Sequence, residues 1–168
     1  MKLATIPGKG PDGELVVVSQ DGSRYLGAGN GRTMQWAIEN WQQACRELES
    51  VVSKLDAGEG ESTSDTQFAA PLPRAWQWLD GSAYDTHGEL MQKAFGLDPI
   101  ETDRPLMYQG MSHVFYGPTD DIPLPSEEDG IDFEGEFGVI VDDVPMGTSA
   151  AEAMDRIKLI IQLNDWSL

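Results

Sequence analysis

The 168-residue chain is poor in cysteine, in histidine and in positive charge. Its single cysteine, Cys45, leaves no internal disulfide framework and no paired thiolates for zinc, and it suits a reducing compartment. Eleven lysines and arginines stand against 29 aspartates and glutamates, for a formal charge of −18. Affinity for nucleic acid or anionic lipid rests on basic groups neutralising phosphates, so neither is an expected partner. No apolar run approaches the roughly 20 residues that cross a bilayer. Pro7 and Gly8 cut the N-terminal apolar stretch far short of a secretory signal. A soluble, cytoplasmic protein is the expectation.

Familiar catalytic signatures are also missing. There is no G-x-S-x-G elbow. "GAGNG" at 27–31 brings its third glycine one residue early for a dinucleotide fingerprint, and reads as a turn. "SEEDGIDFEGE" fails as a calcium loop because Pro125, at the first ligand position, has no side-chain oxygen. His113 has no acidic or cysteine neighbour at ligand spacing and reads as structural or exposed.

What is present is globular: 40% hydrophobic and 24% charged residues. Residues 1–26 read as short strands separated by "GPDG" and "QDG" turns. Met34 to Leu55 keep an i, i+3, i+4 apolar rhythm that predicts one long helix, with Thr33 as N-cap and Gly58 as stop. Cys45 lies on the apolar stripe and reads as core. "DAGEGESTSDTQFAA" at 56–70 reads as a linker, which divides the chain into domains at 1–70 and 71–168. The second part should hold a helix from Tyr84 to Phe95, mostly loop over 98–129, a short helix capped by Thr148 or Ser149, and a buried final strand in "LIIQLNDWSL".

The most informative stretch is "GIDFEGEFGVIVDD", Gly130 to Asp143. Its alternation and its aromatic and β-branched content suit an interior strand. Ile131, Phe133, Phe137, Val139 and Val141 take one face; Asp132, Glu134, Glu136 and Ile140 take the other. If the acid face is solvated it is an ordinary polar exterior. If it is enclosed, carboxylates at i and i+2 cannot both keep their charge cheaply, and a proton or a cation joins them. Asp132, at the strand's start, is the more easily solvated. Asp80 stands seven residues before His87 amid tryptophans, and Asp165 sits where an apolar strand turns polar. Four carboxylates from three segments would make an all-oxygen site, which selects Mg²⁺, Ca²⁺ or Mn²⁺.

Four motifs occur in order: Asp80 with His87, "MYQG" at 107–110, "DFEGE" at 132–136 and "NDWS" at 164–167. Together with "DGELVVVS" and "APLPRAWQWLDGSAY", they resemble the fumarylacetoacetate hydrolase family across essentially the whole chain. The resemblance implies an α+β protein: a small N-terminal α/β domain followed by part of a mixed β-roll, dimeric in the full-length form. It implies Asp80, Glu134, Glu136 and Asp165 as metal ligands, His87 as general base, Tyr108 as a substrate contact and Trp166 packed beside the site. The implied substrate is a 1,3-diketo acid such as fumarylacetoacetate, hydrolysed at a carbon–carbon bond in aromatic amino-acid breakdown. Acylpyruvate hydrolases, decarboxylases and isomerases share the family and its metal site. Leu168 directly follows "NDWS", whereas the family pattern continues with an arginine and further catalytic residues. The resemblance therefore implies a truncated chain, with little or no hydrolase activity by itself. Two other classes remain open: a paralogue that binds metal without chemistry, and an acidic binding domain indifferent to divalent ions and to Glu134→Gln.

Overall fold

The computed structural model describes residues 1–99 and 103–168. In chain order the elements begin with β1 (Lys2–Ile6), β2 (Glu14–Val18), β3 (Arg24–Gly27), α1 (Met34–Glu39), α2 (Trp41–Asp56) and β4 (Glu61–Ser62). They continue with β5 (Leu79–Ser82), α3 (Asp85–Phe95), β6 (Leu106–Gln109), β7 (Asp132–Val141), α4 (Ala150–Met154) and β8 (Ile157–Ser167). Backbone contacts divide the chain into two units, Met1–Pro73 with Phe115–Leu168, and Arg74–Val114.

The first unit opens with an antiparallel sheet in the order β1-β2-β3-β4. The β1–β2 turn depends on Gly13, whose φ of 60° suits a residue without Cβ; a Cβ there would strike the Ile6 carbonyl oxygen and the Thr5 methyl. The β2–β3 turn is closed by Asp21, which accepts from the Ser19 hydroxyl at 2.6 Å and from the Ser23 amide at 3.0 Å and hydroxyl at 2.8 Å. These bonds, Ser19's foremost, hold its carboxyl well below the usual carboxylate range. A depressed folded-state value stabilises the fold above the unfolded value of about 4, and that contribution fades as the pH falls below it. Asp21→Asn is therefore expected to be less stable than the parent at pH 7. The gap should close on acidification below about pH 4, as read from denaturant midpoints against pH.

The helical segment is not continuous. Asn40, at φ −127° and ψ 39°, separates α1 from α2, and both its backbone N–H and its side-chain amide donate to the Trp36 carbonyl at 3.0 Å. An asparagine side chain can compete in this way for a helical carbonyl. The apolar stripe runs through the break at unchanged spacing, so periodicity alone predicts one helix. Thr33 caps α1 as expected, its hydroxyl accepting from the Trp36 amide at 3.1 Å. Ala57 ends α2, followed by Gly58 at φ 99°. The stretch read as a linker contributes β4 to the sheet edge, a Thr63 hydroxyl bonded to the Gly22 carbonyl at 2.7 Å, and the buried Ala70. Leu15 and Val17 of β2 pack with Met34, Ala37, Ile38, Ala44, Leu48, Val51 and Leu55 in one core, while Cys45 is only half-buried beside it.

The same core takes in Ile140 of β7 and partly buried Leu159 and Ile161 of β8. β7 and β8 form an antiparallel hairpin from Asp132 opposite Ser167 to Val141 opposite Ile157, with an irregular register at Ile140/Val141. α4 lies between them. Ser149, not Thr148, caps it with a full capping box to Glu152. Beyond the register irregularity, the Asp142 amide donates to the Arg156 carbonyl at 3.1 Å, and the Lys158 ammonium sits 3.0 Å from the Asp142 carboxylate.

The second unit is a small antiparallel pair, β5 with β6, and the helix α3. α3 starts after Tyr84 and stops at Gly96 in the left-handed conformation, φ 62°. β6 falls within 98–129, where loop was expected. Backbone bonds extend the pair past its ends, Gly110 to Trp78 at 3.2 Å and Ala75 to Ser112 at 2.8 Å. Gly110 leaves room for the Trp78 ring, which would lie 2.5 Å from a Cβ there.

Candidate metal centre

The covered face of the β7–β8 hairpin is the one that carries the acids. Along it run the opposed pairs Glu134 with Asp165, Glu136 with Leu163, Gly138 with Ile161 and Ile140 with Leu159. Each of these residues is at least partly buried, and Ile140 is 7% exposed. The apolar row that alternation suggests for an interior lies on the other side: Phe133 is 56% exposed, Phe137 80% and Val139 52%. Alternation sorts residues into two faces but does not say which is covered. That is decided here by Ile140, Leu159 and Ile161, which enter the core beside β2 and α2.

The covered face thus grades from apolar to acidic along one hairpin. Its apolar end is fixed in the core and its acidic end carries Glu134, Glu136 and Asp165, all half-buried. Asp165 sits directly across from Glu134 and diagonally from Glu136, positions whose side chains meet in an antiparallel pair. A carboxylate oxygen of Glu136 and one of Asp165 lie within 4.8 Å of each other. Hard divalent cations hold oxygens at about 2.0–2.6 Å, so one ion would fit between these two carboxylates. The donors therefore fit Mg²⁺, Ca²⁺ or Mn²⁺. Asp132, also of the acid row, is exposed, and its carboxylate accepts from the Phe133 amide at 2.8 Å.

Gly138 belongs to this face, and sequence reasoning did not single it out. A Cβ there would come 2.8 Å from a Leu163 methyl and 3.0 Å from Ile161 Cγ1, so the missing side chain admits those of β8. The signal was available: a glycine breaks the row Glu134, Glu136, Ile140 where the facing strand is bulky.

Trp166 is not on this face. Adjacent strand residues point to opposite sides, so placing Asp165 inward places Trp166 outward, its ring centroid 5.4 Å from that of Phe133.

Within the second unit, Asp80 of β5 lies directly opposite Tyr108 of β6, on the same face of that pair. Asp80 is half-buried and Tyr108 half-exposed. His87 occupies the first turn of α3 and is partly buried. His113 is exposed.

An α+β chain whose hairpin ends in a half-covered carboxylate cluster presents the oxygen donors that a hard divalent cation takes. Its ancestry is specific. Residues 1–74 match the family described as fumarylacetoacetase N-terminal domain 2, and residues 77–168 match fumarylacetoacetate (FAA) hydrolase C-terminal. The chain belongs to the fumarylacetoacetate hydrolase family. That family typically binds a divalent metal and acts on small molecules. No curated protein matches the chain. No helix among the described residues is long and apolar enough to cross a membrane.

Proposed function

We propose that this chain carries the metal and base residues of a hydrolase that cleaves the carbon–carbon bond of a 1,3-diketo acid such as fumarylacetoacetate. The observation that supports this reading most is the acid end of the covered β7–β8 face, in a chain of this family. Glu134, Glu136 and Asp165 are the proposed ligands on the hairpin. Asp80 is assigned to the same set on the order of the family motifs. A divalent cation held there supplies Lewis-acid polarisation of the diketo oxygens.

The protein's own groups divide the remaining work. His87 accepts a proton from water at an imidazole nitrogen, which readies the water oxygen to add to the attacked carbonyl. Tyr108 offers a hydroxyl that orients the substrate. The hydroxyl goes to one carbonyl carbon, which leaves as a carboxylate, and the proton goes to the carbon released. Acylpyruvate cleavage, decarboxylation and isomerisation call on the same ligands and differ in the substrate held.

Calorimetric titration with acetopyruvate, a simple 1,3-diketo acid, tests the substrate class. Binding is expected with Mg²⁺ present and should weaken by at least about tenfold on chelation or in Glu136→Gln, as for a lost metal contact. Equal binding without the cation, or none with it, would contradict the reading.

A further inference from the structure

Phe133 and Trp166 form the last aromatic rung before the open end of the hairpin. They are directly opposed, ring centroids 5.4 Å apart and tilted by 40°. The adjacent rung, on the other face, is Glu134 opposite Asp165. That rung lies near the strand ends, where fewer backbone bonds hold the pair together. On the outer face the next rung is Gly135 with Asn164, which offers no side chain from β7. The next outer-face rung with side chains from both strands is Phe137 with Gln162. Apolar cross-strand contact at the acid end therefore comes from the aromatic pair.

We propose that the Phe133–Trp166 pair positions the cation ligands: it holds β7 and β8 in register at the open end of the hairpin, so that Glu134 and Asp165 face one another. The inference rests on the proposed cation site. Trp166 then serves that site from behind the hairpin and does not touch what binds there.

The test is calorimetric titration of Mn²⁺ into the 168-residue chain and five variants. Phe133→Ala and Trp166→Ala should each raise the Mn²⁺ Kd by about three- to tenfold, the range of an aromatic pair's coupling. The double variant should be no worse than either single one, because either change removes the pair. Trp166→Phe, which keeps an aromatic partner, should restore affinity. Val139→Ala, on the same outer face at the core end, serves as the control for general weakening of the hairpin and should leave Kd unchanged. If Val139→Ala weakens Mn²⁺ binding as much as Phe133→Ala, or if neither alanine at the pair changes Kd, the positioning role is wrong. If the parent itself takes up no Mn²⁺, the cation site fails first and this role falls with it.

Discussion

Replacing Ile140 with alanine is expected to lower the melting temperature by about 4–20 °C, whereas Val139→Ala, one residue away, should cost under about 4 °C. Ile140 is 7% exposed and packs into the cluster containing Leu15, Val17 and Leu48. Truncating a core isoleucine to alanine typically costs about 2–5 kcal/mol, through lost transfer energy and the cavity left behind. In a chain of this length each kcal/mol moves the midpoint by about 2–4 °C. Val139 is 52% exposed on the outer face and leaves little cavity. The comparison matters because composition alone ranks the two alike. Equal costs, or a larger one at Val139, would mean that the covered face of the hairpin has been misidentified, and the acids would lose the environment that makes them unusual.

A second large effect concerns cations. At about a hundred times its Kd, a bound divalent ion should stabilise the fold by about 2.7 kcal/mol, raising the midpoint by about 5–11 °C. The mechanism is local: Glu134, Glu136 and Asp165 share one half-buried end of the hairpin and would supply the oxygens that hold the ion. Glu134→Gln/Glu136→Gln should abolish the shift. With a net charge of −18, general screening will also raise the midpoint somewhat. Sodium at matched ionic strength isolates that part. A parent that responds to Mg²⁺ no more than to sodium would show that the acids are merely a polar face.

The parts of the fold visible in the sequence are those fixed locally. Thr33 as a cap, the turns around Gly13 and Asp21, and the Ser149 cap each follow from one residue's own hydrogen-bonding or steric character. Asn40 was hidden because a helix can break without disturbing the apolar stripe. β6 was hidden because its described residues are all exposed, so "LMYQ" carries no alternation for the eye to find. The acid row itself was legible, as was the family, through four short motifs in order. Which face of β7 is covered was not. That depends on Ile140, Leu159 and Ile161 meeting a core built some hundred residues earlier, which no local pattern records. The same alternation gives away Trp166: once Asp165 faces inward, its neighbour must face out.

The most direct test of the central claim is an electron paramagnetic resonance titration with Mn²⁺, which counts ions removed from solution by the protein. The account predicts a single saturable Mn²⁺ per chain, displaced by excess Mg²⁺ and absent in Glu136→Gln/Asp165→Asn. Unsaturable weak uptake shared by parent and variant would contradict it, and the acidic end of the β7–β8 hairpin would then be a charged surface with no ion to hold.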